Sequence, residues 1–294
     1  MARAFLEKKG CEEARLEAEL LVAHALGKDR LGLFMDLERP VEGREIDLAR
    51  DLLMRRGRRE PVAYITGERE FYGRAFRVSR EVLIPRPETE LLVDRAREWA
   101  REALKADRGT PDSDAGAGAD AGSDGGESAG LSILDWGTGS GCLAATLALE
   151  IEGARVVAVD AFEATLDVAR GNAERLGAGV ELRLANDFGT LNQSFDLLVT
   201  NPPYVDPKDS TGLAPEVRDY EPHAALFAPE GDPDYWVRAV LEHLPRLVRS
   251  GGVALIELGA DQAPRVLELA KSAGVRAQTL PDLAGIERVL ELVR

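Results

Sequence analysis

Cysteine, histidine and long apolar runs are all scarce in this chain of 294 residues. Its two cysteines, Cys11 and Cys142, stand far apart and have no neighbour at metal-ligand spacing. That excludes a disulfide framework. With only His24, His223 and His243 besides, the sequence offers no zinc-type ligand set, and no metal is expected. No apolar stretch reaches the roughly 18 residues that a bilayer crossing needs. The segment Met1 to Lys9 turns charged too soon for a secretory signal, so a cytoplasmic protein is expected. Positive charge is also in short supply, with a net of −15. Nucleic-acid affinity comes mainly from Lys and Arg neutralising phosphates, so this balance disfavours a large polyanionic partner. Residues 107–130, with six acids against one base, hold only part of the excess, although Arg55-Arg-Gly-Arg-Arg59 is a local basic run.

What is present fits a soluble globular protein with room for a catalytic core and a smaller domain. Residues 1–60 read as helical. Leu16, Leu20 and Ala23, then Leu31, Phe34 and Met35, then Ile46, Ala49 and Leu53 recur at helical spacing, punctuated by Gly27, Pro40 and Gly43. Nothing there reads as chemistry, so this domain is expected to dock a protein substrate. Residues 61–86 change character. Val62, Tyr64, Ile65 and Thr66, then Phe71, Tyr72, Phe76 and Val78, are strand formers separated by Gly67 and Gly73, which predicts a β-hairpin connector. Residues 87–294 form the third unit. Pro87 opens a helix that Leu91, Leu92, Arg95, Ala96 and Trp99 continue. The Gly-, Ala-, Ser- and Asp-rich stretch 107–130 has no bulky apolar residue, and a disordered insertion is expected there. From Leu131 strand candidates at 131–136, 155–160, 180–184, 195–200, 252–258 and 288–293 alternate with helical stretches. The expected fold is α/β with a mostly parallel sheet.

Leu131-Ser-Ile-Leu-Asp-Trp-Gly-Thr-Gly-Ser-Gly141 is a strand running into a glycine loop. Gly137, Gly139 and Gly141 allow a sharp turn and close approach of backbone to a ligand. Asp160 ends the next strand, where doubly wound folds place the acid that holds ribose hydroxyls. A dinucleotide fingerprint would need glycine at position 142, which is Cys142. The G-x-G-x-G pattern, with Thr138 and Ser140 inside it and Asp135 before it, instead suits a ligand end bearing an ammonium and a sulfonium. S-adenosylmethionine is therefore the expected ligand, ahead of a dinucleotide. Asp187, at the end of the third strand, is placed to meet the adenine amino group, and Phe188 either stacks on the ring or fills core.

Phe195-Asp-Leu-Leu-Val-Thr-Asn-Pro-Pro-Tyr204 carries the most information. A strand delivers Asn201 to the edge where open α/β sheets bind ligands. Pro202 and Pro203 fix the turn and remove two donors, which leaves the Pro202 carbonyl and the Asn201 side-chain oxygen as acceptors for an NH2 group. Tyr204 offers a ring face for a planar amide or base. Asn201, Pro202 and Tyr204 are the candidate catalytic residues, and with Pro203 they form the candidate substrate site.

On these motifs the chain resembles the HemK-type peptide chain release factor N5-glutamine methyltransferases. The resemblance spans nearly the whole sequence. Besides the glycine loop and Asn201 to Tyr204, it rests on Pro61-Val-Ala-Tyr-Ile-Thr-Gly67, Phe71-Tyr-Gly73, Leu83-Ile-Pro-Arg-Pro-Glu-Thr-Glu90, Pro215-Glu-Val-Arg-Asp-Tyr-Glu-Pro222 and Asp282-Leu-Ala-Gly-Ile-Glu-Arg-Val289. It implies a Rossmann-like, seven-stranded class I methyltransferase domain behind a helical domain and a hairpin. It also implies methyl transfer from S-adenosyl-L-methionine, released as S-adenosyl-L-homocysteine, to the glutamine amide of the Gly-Gly-Gln motif in class 1 release factors. Gly137 to Gly141, Asp160 and Phe188 would hold the donor, and Asn201 to Tyr204 the glutamine. The relative that methylates a ribosomal protein differs where this chain reads Arg86-Pro-Glu-Thr-Glu90. Adenine-N6 nucleic-acid methyltransferases share Asn-Pro-Pro-Tyr but need a basic channel. Two features depart from the family pattern: Trp136, where a smaller aliphatic residue is usual, and the long 107–130 insertion.

Overall fold

The computed structural model describes residues 1–36, 38–108 and 130–294, so most of the 107–130 stretch lies outside the described residues. The chain opens with four helices: α1 (Ala2–Lys8), α2 (Ala14–Ala25), α3 (Arg30–Met35) and α4 (Gly43–Gly57). Helix α4 starts on a reciprocal cap between Glu42 and Glu45, which satisfies two backbone donors that the first turn leaves free. Small buried residues on α2 (Ala14, Ala18, Ala25) let the helices approach closely around Leu6, Leu21 and Leu52.

The next segment corrects the expectation of a strand at Val62 to Thr66. These residues form a short helix, α5 (Val62–Thr66), begun by Pro61 and ended by Gly67 in the left-handed region at φ 78°. Three consecutive residues, Ala63, Tyr64 and Ile65, are buried, which one helical turn laid against two elements allows and an alternating strand does not. The Tyr64 hydroxyl donates to the Val82 carbonyl at 2.6 Å, and Thr66 Oγ1 donates back to the Val62 carbonyl. The hairpin follows, shorter than 61–86: β1 (Glu68–Phe71) pairs with β2 (Arg74–Arg77). Its turn residues, Tyr72 and Gly73, both have positive φ (52° and 71°), as a two-residue type I′ connection requires. Tyr72 is held there by its backbone N–H on Glu90 and its hydroxyl on Asp94. A 3-10 turn at Pro87–Thr89 then leads into α6 (Glu90–Arg108).

The remaining elements are β3 (Ser132–Trp136), α7 (Cys142–Glu150), β4 (Arg155–Asp160), α8 (Glu163–Leu176), β5 (Val180–Leu184) and β6 (Phe195–Thr200). After them come α9 (Pro215–Tyr220), α10 (His223–Leu226), α11 (Tyr235–Leu247), β7 (Val248–Glu257), α12 (Ala263–Ser272), β8 (Arg276–Pro281) and β9 (Glu287–Val293). The seven strands lie in the order β5-β4-β3-β6-β7-β9-β8, with β9 antiparallel to both neighbours. The class I methyltransferase fold is thus as expected. Strand β8 was not among the candidates. It is an edge strand whose exposed residues alternate with half-buried ones, and Arg276, Gln278 and Thr279 give it no apolar run. The inner strands bury both faces. Ile133, Leu197 and Val253 pack on one side, while Leu134, Leu198 and Ala254 pack on the other against α11 and α12. No helix among the described residues is long and apolar enough to cross a membrane.

Candidate functional site

In the order β4-β3-β6 the chain reverses direction of growth at β3, so the carboxyl ends of β3 and β6 flank a topological switch point. The two ends are tied, with the Thr200 hydroxyl donating to the Trp136 carbonyl at 2.7 Å. A cavity of about 310 Å³ opens there. One end is lined by Gly137 to Ser140, Asp160, Phe162 and Asn186; the other by Arg86, Thr89, Asn201, Pro202, Pro203 and Pro222. Trp136 and Trp236 line the wall, so the tryptophan at position 136 faces the ligand space.

All three loop glycines, 137, 139 and 141, have φ between 55° and 77°, a region that side chains strain to enter. Gly141 has a second reason: a Cβ there would sit 3.1 Å from Ala169 Cβ on α8. Gly141 does not itself line the cavity. Asp160 fixes the loop, accepting from Gly139 N at 3.0 Å and from Phe162 N at 3.2 Å. Burial raises its pKa, and these backbone donors oppose the shift. Asn172 on α8, fully buried, donates to the carbonyls of Ser140 and Arg77 and so couples the loop to the hairpin.

Asp135 lies beneath the loop and does not line the cavity. Its Oδ2 accepts from Thr138 Oγ1 at 2.7 Å and from Ala144 N at 3.1 Å, while its Oδ1 is buried without a partner. Burial pushes its pKa up to about 7. An acid with a raised folded pKa binds a proton that the unfolded chain has already released. The contribution of Asp135 to stability is therefore complete below about pH 4 and is lost as pH rises through about 7. Asp135→Asn, which keeps the shape without the charge, is expected to raise the melting temperature of the donor-free protein by more at about pH 8 than at about pH 5. Calorimetric melting at both pH values checks this, and an equal shift at the two would refute it.

Asn201, Pro202 and Pro203 do line the cavity. Asn201 Nδ2 donates to Thr89 Oγ1 at 3.1 Å, and Thr89 Oγ1 donates to Glu257 Oε2 at 2.6 Å. Glu257 is 4% exposed, and burial pushes its pKa up to about 7. Tyr204 is elsewhere. The two prolines turn the chain away, and the ring packs over Gly259, where a Cβ would come within 3.0 Å of Cδ2. Burial raises the Tyr204 hydroxyl to about 12. Asp187 also misses the cavity, because its carboxylate turns back to cap Gly189 N at 2.8 Å; its neighbour Asn186 lines the wall instead. Phe188 is core, with its ring 4.0 Å from Trp136 and 6.1 Å from Trp236. Arg86, Thr89, Glu257 and Trp236 were given no role from the sequence. Only the Leu83 to Glu90 motif hinted at the first two.

A second cleft, of about 700 Å³, runs between the helical segment and the sheet domain and shares Arg86 with the cavity. Eight carboxylates border it against five Lys and Arg side chains. Its walls are joined by ion pairs: Arg56 binds Glu17 and Glu216, Arg59 binds Glu216, and Arg86 binds Glu221 at 2.6 Å.

Two family models match the chain, the PrmC N-terminal domain over residues 1–67 and the methyltransferase small domain over residues 126–217. The solved hMettl16 catalytic domain in complex with a MAT2A 3'UTR hairpin is similar in fold, with a TM-score of 0.55 at 15% identity over 79% of this chain and 80% of that one. A release factor glutamine methyltransferase of Chlorobaculum tepidum is 42% identical over 98% of this chain and 92% of its own length. Its counterpart in Geobacter sulfurreducens is 38% identical over 98% and 92%. With that identity over nearly the full length, and with the glycine loop and Asn-Pro-Pro turn meeting in one cavity, the chain belongs to the release factor glutamine methyltransferase family.

Proposed function

We propose that this chain methylates the side-chain amide nitrogen of the glutamine in the Gly-Gly-Gln motif of class 1 release factors, with S-adenosylmethionine as donor. The observation that carries the reading is the single cavity joining the Gly137–Ser140 loop and Asp160 to Asn201, Pro202 and Pro203. The residues present fit the donor. The loop backbone is open to close approach, Asp160 stands at the end of β4, and Asp135 holds an unpartnered carboxylate oxygen beneath the loop, which favours a cation above it. When bound, the donor supplies a methyl group on a cationic sulfur.

An amide nitrogen is a poor nucleophile because its lone pair is delocalised into the carbonyl. Asn201 Oδ1 and the Pro202 carbonyl can accept from the two amide hydrogens. They orient the nitrogen and favour the positive charge it gains as the new bond forms. Pro203 and Pro222 line the same end without offering donors that would compete for those acceptors. The acidic second cleft suits a protein that carries basic residues better than a phosphate backbone. It supports docking of the release factor between the helical segment and the sheet domain. Mass spectrometry of a release factor incubated with enzyme and labelled donor tests the reading: label on the Gly-Gly-Gln glutamine is expected, and label on DNA or a ribosomal protein alone would refute it.

Asp160→Ala is expected to weaken donor binding by about 1.5–3 kcal/mol, the range for hydrogen bonds to a charged group. Calorimetry showing unchanged affinity would remove Asp160 from the donor site.

A further inference from the structure

We infer that Thr89 and Glu257 are positioning residues for the acceptor amide: they lock the Asn201 side chain with Nδ2 turned toward Thr89 and Oδ1 left for the substrate. The inference rests on the reading of Asn201 as the residue that receives the glutamine. A carboxamide is nearly symmetric in shape, and its two orientations have opposite consequences here. With Oδ1 toward the substrate, Asn201 accepts from an NH2 group. With Nδ2 toward it, donor faces donor and the amide is turned away.

Nothing in Asn201 itself chooses between them, but its neighbours do. Glu257 Oε2, 2.6 Å away, accepts the single hydroxyl hydrogen of Thr89. Thr89 Oγ1 then keeps a lone pair, which accepts from Asn201 Nδ2 at 3.1 Å. The chain of donors runs one way, from Asn201 through Thr89 to Glu257. It is also dry: Thr89 is 2% exposed and Glu257 4%. Its members come from three separate places, the turn before α6, the end of β6 and the end of β7, so no local backbone preference accounts for the alignment.

The test is single-turnover methylation of a purified release factor by the full-length enzyme with donor saturating, alongside calorimetric donor affinity and melting temperature. Thr89→Val, which keeps the volume and removes the hydroxyl, is expected to lower the methylation rate about 10–100-fold with donor affinity unchanged. Thr89→Ser is expected to restore most of the rate. Because Thr89 acts through Asn201, Thr89→Val placed on Asn201→Ala is expected to cost nothing further. Glu257→Gln, which keeps an acceptor for the hydroxyl, should retain most activity, whereas Glu257→Leu should match Thr89→Val. This second pair decides the matter if Thr89→Val fails to fold. A near-normal Thr89→Val rate, a loss that adds in full to that of Asn201→Ala, or a loss that Thr89→Ser does not restore would overturn the inference. If Asn201→Ala alone kept a normal rate, the reading of Asn201 would fall first and the inference with it.

Discussion

Asn201→Ala is expected to lower kcat by about 10²–10³, the cost of removing one preorganised polar contact to a developing charge. Donor affinity should fall far less, since Gly139 and Asp160 stay bonded to each other whatever occupies position 201. Asn201→Asp is the sharper variant. On shape alone it would be mild, because an acceptor remains. The structure predicts otherwise, because the aspartate has no N–H for Thr89 Oγ1 and sets a second carboxylate near buried Glu257. It should be as slow as the alanine variant. Single-turnover methylation of a release factor with donor saturating makes the comparison. An Asn201→Asp enzyme close to wild type would show that the amide nitrogen has no structural task.

Arg56→Met is expected to destabilise the fold by about 3–5 kcal/mol, the cost of removing one partner from a buried ion pair. Arg56 is 2% exposed. It holds Glu17 of α2 through two nitrogens, at 3.0 and 2.8 Å, and Glu216 of α9 at 3.0 Å. Methionine fills much of the space but leaves Glu17 without its cation and Glu216 with Arg59 alone. Arg56→Lys should fall between, since one ammonium cannot reproduce the planar fork. Urea denaturation of each variant gives the values, and a loss below about 1 kcal/mol would class the network with exposed bridges. Because Arg56 and Glu216 both border the second cleft, release factor KM should rise in Arg56→Met while donor affinity holds.

Much of the sheet and half of the site could be read directly from the residues. Apolar strand, glycines with positive φ and an acid at the end of the next strand are local signals, and the glycine-loop end of the cavity is built from them. At the other end, Asn201, Pro202 and Pro203 line the cavity as their motif suggests. Tyr204 does not line it, because two fixed φ angles say that the chain turns but not toward which wall, and its ring went to Gly259. Asp187 and Phe188 show the same gap: a strand end places them near the ligand, yet capping of Gly189 and packing on Trp136 took their side chains elsewhere. The α5 segment was misread because Val, Tyr, Ile and Thr favour strands on average, and burial of three neighbours in a row outweighed that preference. Thr89 and Glu257 lie 168 positions apart, and no pattern in the sequence joins them.

The tryptophans have a practical consequence. Two of the three, Trp136 and Trp236, line the cavity, and the third, Trp99, is buried on α6 in the core of the other sheet face. An aromatic ring or a cation entering the cavity would change the emission of the first two and leave the third as a constant background. Intrinsic fluorescence should therefore report donor occupancy without any label, in the wild type and in every variant that spares those two rings.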